Sequence, residues 1–145
     1  MAYIDTSVWV AALCHEAFTV RAQGWLEKQA AGALHVSGWV QAEFASALSL
    51  KQRCGQLDAA QAAIAMTLFS ATLEQACSRV AVEEADFALA ARLVADPASG
   101  LRAGDALHLA MAARQGLALV TFDTILAKAA VRFGVQARLL QEELA

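Results

Sequence analysis

The stretch Leu101–Asp123, LRAGDALHLAMAARQGLALVTFD, decides the fold. It reads as a helix followed by a strand. Gly104 opens the helix, and Leu107, Leu109, Ala110 and Met111 give it an apolar face. Gly116 stands where a left-handed residue commonly ends a helix. LALVTF then runs apolar without a break, the pattern of a strand buried on both faces. Twelve helical residues at ~1.5 Å each span roughly 18 Å. Six strand residues at ~3.3 Å span roughly 20 Å. A strand that returns along its helix therefore brings Asp105, in the first helical turn, and Asp123, just past the strand, to one end of the domain.

The rest of the chain supplies similar units. AYID, residues 2–5, is a short strand ending at Asp5. Thr6 and Ser7 can cap the helix after it, which carries Val8, Trp9, Val10 and Leu13. A second helix spans Ala17 to Ala30, with Val20, Trp25 and Leu26 as apolar contacts, and Gly32 stops it. Leu34–Val36 is a strand, and Ser37 caps a helix from Trp39 to Arg53 that bears Glu43 near its start. Asp58 caps a helix to about Glu74, with Ala62, Ile64, Ala65, Leu68 and Leu73 near helical spacing. Ser78–Val82 is a third strand, Glu84–Val94 a helix, and DPASG a turn-rich loop. Thr124–Arg132 is a short helix, and VQARLL closes the chain as a strand. Strands alternating with helices imply a parallel sheet covered by helices. Ligands in such folds bind beyond the carboxyl ends of the strands. Asp5, Glu43, Asp105 and Asp123 all belong to that edge.

Composition narrows the class. The chain has 145 residues, 59% hydrophobic and 17% charged, which suits one globular domain with a real core. No apolar run reaches the ~18 residues of a membrane span. MAYIDTS lacks the basic start of a signal peptide. Cys14, Cys54 and Cys77 are odd in number and form no CxxC, as expected for reduced thiols in a cytoplasmic protein without a zinc site. The net charge of −3 does not suggest a dedicated nucleic-acid binder. It leaves open an enzyme that meets nucleic acid through a local patch and a metal.

One acid at a strand end is ordinary, because carboxylates favour helix first turns. Four at one edge are not. Two carboxylates ~5 Å apart at an effective dielectric near 20 repel by roughly 3 kcal/mol. A helix dipole returns only about 0.3–1 kcal/mol. No Lys or Arg cluster flanks these positions in sequence. Either some acids are protonated or a cation is bound. All-oxygen ligation suits Mg²⁺ or Mn²⁺, which keep several waters and engage phosphates. Metal-assisted phosphodiester hydrolysis fits that site.

YIDTS, VQAEFASAL with Glu43, LRAGDALHLA and VTFD together resemble the PIN-domain family, and most of all the VapC-type toxins of bacterial toxin–antitoxin pairs. The likeness covers essentially the whole chain, 1–145, in order. It implies a three-layer α/β/α fold with a mostly parallel sheet of about five strands. It implies an RNase using Mg²⁺ or Mn²⁺, with Asp5, Glu43, Asp105 and Asp123 as catalytic metal ligands and a metal-held water attacking the scissile phosphate. It also implies an RNA substrate, a VapB-type antitoxin that blocks the site, and a toxin homodimer. Two basic positions common in the family are absent: Val10 and Ala11 stand shortly after DTS, and Thr124 and Ile125 follow VTFD. Neither change touches the four acids.

Around the quartet, Thr6, Ser7 and Thr121 are candidates to orient the acids, and Arg102 is the candidate phosphate contact. His108, three residues after Asp105, shares its helix face and reads more readily as a packed, hydrogen-bonded residue than as a general base. Arg21 and Lys28 are possible groove-lining cations. Trp9, Trp25 and Trp39 read as core or interface. A competing reading is a catalytically inactive PIN-like module that works by docking a protein partner. A phosphotransfer fold fits poorly: Ser7 stands where an aspartyl phosphatase needs its second acid, and no GxxxxGK loop occurs.

Overall fold

In a computed structural model, which describes residues 1–141, five strands form one sheet in the order β3-β2-β1-β4-β5, with every neighbouring pair parallel. The strands are β1 (Ala2–Ile4), β2 (Leu34–Ser37), β3 (Cys77–Val80), β4 (Ala118–Thr121) and β5 (Ala137–Leu139). The helices are α1 (Thr6–Leu13), α2 (Thr19–Leu26), α3 (Gly38–Arg53), α4 (Ala59–Ala76), α5 (Glu84–Ala95), α6 (Ala103–Gln115) and α7 (Thr124–Arg132).

The strand order settles where the helices go. From β1 the chain moves outward to β2 and β3, then returns across the sheet to β4 and β5. Parallel crossovers are right-handed, so reversing the direction of travel reverses the face. Helices α1 to α4 therefore cover one face and α5 to α7 the other, and α1 packs on α2, α3 and α4 while α6 packs on α5 and α7. The reversal falls between β1 and β4. Their carboxyl ends flank the switch-point crevice where α/β sheets bind ligands.

The local chemistry of the sequence explains most boundaries. Ser37 ends β2 and caps α3, its Oγ accepting from Val40 N–H. Asp58 and Gln61 form a reciprocal capping box at the start of α4. Gly116 ends α6 with φ +63°, a left-handed conformation that L side chains avoid. The segment Pro97–Ser99 is a single 3₁₀ turn closed by Gly100. Behind β1 the core is aromatic: the Phe69 ring stacks on Phe44 at 4.1 Å and meets Trp9 edge-on at 5.8 Å. Leu107, Leu109, Ala110 and Met111 are buried as expected, but so are Ala106, His108 and Ala112, so α6 is enclosed almost all round.

The mostly parallel sheet of about five strands is present as expected, with every neighbouring pair parallel. Several finer expectations are corrected. Helix α2 is shorter than Ala17–Ala30, because Thr19 ties its start to the carbonyls of Ala11 and Cys14. Val20 is not an apolar contact of that helix; it is 83% exposed. Ile64 and Leu68 also face outward, because the buried stripe of α4 runs through Ala62, Ala65, Phe69 and Leu73. Strand β3 stops at Val80, short of Val82. None of the described helices is long and apolar enough to cross a membrane.

Candidate active site

Asp5 follows β1 directly and caps α1 from a buried position. Both of its carboxylate oxygens are held. Ser7 Oγ donates to Oδ1 at 2.6 Å, Thr121 Oγ1 donates to Oδ2 at 2.6 Å, and Val8 N–H approaches Oδ1 at 3.4 Å. The two hydroxyls are themselves fixed by the chain leaving β4. Phe122 N–H donates to Ser7 Oγ at 2.9 Å and Asp123 N–H to Thr121 Oγ1 at 2.8 Å. The adjacent ends of β1 and β4 are thus laced together around one carboxylate. Burial pushes the Asp5 carboxyl up, and the charge of His108 and the hydrogen bonds from Ser7, Thr121 and Val8 oppose that without cancelling it.

Asp123 caps α7. Its Oδ1 accepts from Ile125 N–H at 2.7 Å and Leu126 N–H at 3.0 Å, leaving Oδ2 without a donor among the described residues. Glu43 sits on the second turn of α3 and is held through one oxygen. Thr6 Oγ1 donates to Oε1 at 2.7 Å, and His108 Nε2 meets the same oxygen. Oε2 lies beside Gly104, where an added Cβ would come within 3.3 Å of it and within 3.2 Å of the Trp39 ring. Glycine here lets α3 and α6 approach closely, and Trp39 Nε1 donates across the gap to Gly104 O at 3.3 Å. Burial raises the Glu43 carboxyl, but the hydrogen bonds from His108 and Thr6 bring it below the usual carboxylate range.

Asp105 differs from the other three. It is half-buried, and no described residue donates to either of its oxygens. Its carboxyl is pushed up first by burial, then by the charge of Asp123, with Glu43 and Asp5 adding to the effect and His108 opposing it. The four acids of the sequence reading therefore share one electrostatic site, and Asp105 carries its strain. No described Lys or Arg pairs with any of them. Arg102 is exposed at the N-cap of α6 and makes no ion pair among the described residues. Arg21 and Lys28 lie elsewhere, lining a broad groove between α2 and β5 with Phe18, Trp25 and Val131. Trp9 is enclosed in the core, which removes it as a base-stacking surface.

A divalent cation fits the donor set. The free oxygens, two on Asp105, Oε2 on Glu43 and Oδ2 on Asp123, are all hard carboxylate donors, and no described Lys or Arg compensates Asp105. The fit is to an open site: among the described residues no three His, Cys, Asp or Glu side chains form a ready-made metal cage. Mg²⁺ needs none, since it is commonly held by one or two carboxylates and several waters.

Reading the sequence missed Tyr3. Its hydroxyl lies 2.9 Å from His108 Nδ1 and 2.7 Å from Ser37 Oγ, deep under the acids. The signal was present: in a strand, Tyr3 and Asp5 share a face.

No curated protein matches the chain by sequence. Among solved structures it is similar to FitAcB from Neisseria gonorrhoeae, at 19% identity and TM-score 0.69, covering 99% of this chain and 100% of that one. It is also similar to VapC20 from Mycobacterium tuberculosis, described as a sarcin-ricin loop cleaving toxin (21% identity, TM-score 0.71, 89% and 95% covered). A third is VapBC2 from Rickettsia felis bound to a DNA fragment from its promoter (18% identity, TM-score 0.64, 96% and 98% covered). These likenesses extend over nearly all of each chain and establish a shared fold. The family model for the PIN domain matches residues 2–132, a span that contains β1, β4 and all four acids, and this chain therefore belongs to the PIN domain family.

Proposed function

We propose that this chain is a divalent-metal-dependent endoribonuclease and the toxin of a VapBC-type toxin–antitoxin pair. In this reading residues 1–145 act as one PIN domain in the cytoplasm, as a homodimer restrained by a VapB-type antitoxin. The observation that carries it is Asp105: a half-buried carboxylate with no donor among the described residues, pushed up by burial and then by the charges of Asp123, Glu43 and Asp5 at a sheet switch point. The printed descriptions of the neighbours, a sarcin-ricin loop cleaving toxin and VapBC and FitAB assemblies, support the same reading.

Asp105, Asp123 and Glu43 would hold Mg²⁺ or Mn²⁺ through their free oxygens, with Asp5 completing the charge behind them. Bound there, the ion would lower the pKa of a water and neutralise charge on a phosphoryl oxygen. The chain's own residues do the rest. Ser7 and Thr121 keep Asp5 from turning away. The α7 N-terminus holds Asp123 by one oxygen and presents the other. Arg102, exposed at the N-cap of α6 three residues before Asp105, would meet an incoming phosphate, and a positive charge there would assist docking of RNA.

Purified protein given Mg²⁺ or Mn²⁺ is expected to cleave RNA, and Asp5→Asn to abolish cleavage while leaving the protein folded. Undiminished cleavage by Asp5→Asn, or in excess chelator, sinks the mechanism. One observation favours a second reading, a PIN scaffold that only docks a partner: the described residues form no ready-made metal cage. Calorimetry separates the two, because the docking module binds no Mn²⁺.

A further inference from the structure

Behind Glu43 lies a file of buried polar side chains that the proposed chemistry does not yet use. Tyr3, Ser37 and His108 are each 1% exposed or less, so none can touch RNA. They are nevertheless joined end to end. Ser37 Oγ accepts from Val40 N–H and is hydrogen-bonded to the Tyr3 hydroxyl. The Tyr3 hydroxyl is in turn hydrogen-bonded to His108 Nδ1, and His108 donates from Nε2 to Glu43 Oε1. Neutral or charged, the ring carries its hydrogen on Nε2, because an ionised carboxylate offers nothing but acceptors.

We propose that His108 is a positioning residue for Glu43. With Thr6 it pins Oε1, which leaves Oε2 beside Gly104 at the start of α6, and Tyr3, bonded to Ser37, holds the ring from its other nitrogen, Nδ1. The oxygen that is free is thus chosen by the oxygen that is tied. Without the clamp, a three-torsion glutamate on a helix surface would sample rotamers that carry both oxygens away from Asp105. A donor that acts through a ligand in this way is commonly worth about 10–100-fold in metal affinity or activity.

This rests on the metal-dependent reading of the site, and the test separates the two. Mn²⁺ affinity by calorimetry and RNA cleavage rates are measured for the wild type, His108→Ala, His108→Gln, Tyr3→Phe, Glu43→Gln and the double variants with Glu43→Gln. His108→Ala is expected to weaken Mn²⁺ binding and lower kcat by about 10–100-fold, with little change in KM for RNA. His108→Gln recovers part of both, since its amide N–H can reach the same oxygen. In the Glu43→Gln background, neither His108→Ala nor Tyr3→Phe adds a further loss, the signature of residues acting as one unit. Losses that simply add, or a folded His108→Ala that binds Mn²⁺ as the wild type does, overturn the proposal. If His108→Ala does not fold, the same cycle on His108→Gln and Tyr3→Phe decides it. A wild type that binds Mn²⁺ but cuts no RNA defeats the endoribonuclease reading alone, and the Mn²⁺ titrations still judge His108.

Discussion

Asp105 is a residue placed where its charge is unwelcome. Burial and the charges of Asp123, Glu43 and Asp5 all favour its protonated form. A carboxyl raised in the folded state contributes stability that is fully present below its unfolded pKa, near ~3.9, and lost as pH rises through the higher folded value. The metal-free protein at neutral pH therefore bears a cost at this position. Asp105→Asn is expected to raise the melting temperature at pH 7 in chelator by about 2–4 °C, the shift that ~1 kcal/mol gives a chain of this size. The gain should fade as pH falls toward 4. Thermal scans across that range check it, and a variant less stable than the wild type at pH 7 would contradict the crowding of the acids. His108 makes a complementary point. From sequence it reads as a packed histidine, and packed it is, yet its buried position is what lets it govern Glu43 from behind.

At the scale of elements, α5 and α6 are joined by an ion pair between buried Asp86 and half-buried Arg114. Arg114 donates from Nε to Asp86 Oδ1 at 2.7 Å and from Nη2 to Oδ2 at 2.9 Å, and a further bond reaches Ala81 O. Burial raises the Asp86 carboxyl, but the hydrogen bonds from Arg114 and Glu83 N–H and the guanidinium charge outweigh it and hold it below 3.8. A depressed carboxyl contributes stability that is present above its unfolded pKa and lost as pH falls through the folded one. Arg114→Met would strand Asp86 without a cation, at a cost of about 3 kcal/mol, the lower end of the range because Arg114 is itself partly exposed. The pH dependence should also reverse sign: with only the Glu83 N–H left to oppose burial, the variant regains stability as pH drops. Urea midpoints at pH 7 and pH 5 read both effects. The element that the sequence described best is α7, whose bounds, Thr124–Arg132, match because Asp123 caps one end and Phe133-Gly134 ends the other. Helix α2 was described least well, since its start depends on Thr19 reaching back to α1, a contact with no local signature.

For the whole molecule, one hydrophobic core holds the sheet's first face. Phe69 stands at its centre between Phe44 and Trp9, and all three are fully enclosed. Phe69→Ala should cost roughly 3–5 kcal/mol, as truncations of buried aromatics do, and lower the urea midpoint without changing the metal preference of any folded fraction. A loss under about 1 kcal/mol would mean that α4 packs on this face less firmly than the ring contacts indicate. The exposed apolar residues Val20, Ile64 and Leu68 should tolerate alanine within about 0.5 kcal/mol, as surface positions do.

The chain by itself determined the order and type of its elements, because helix and strand periods, caps and glycine stops are local properties. It also determined that four acids stand at strand and helix ends on one edge. Only the tertiary structure decided which oxygens of those acids are free. Ser7 and Thr121, 114 residues apart, meet on Asp5 because β1 and β4 are neighbours. Tyr3 and His108, 105 residues apart, meet because α6 packs on the sheet at β4, the neighbour of β1. Hydrogen bonds between such distant side chains depend on strand order and helix crossing, and sequence spacing carries neither. The stretch Leu101–Asp123 thus announced two acids at one end of a helix–strand unit. The packed fold alone left Asp105 bare among them, and gave Glu43 one tied oxygen and one free.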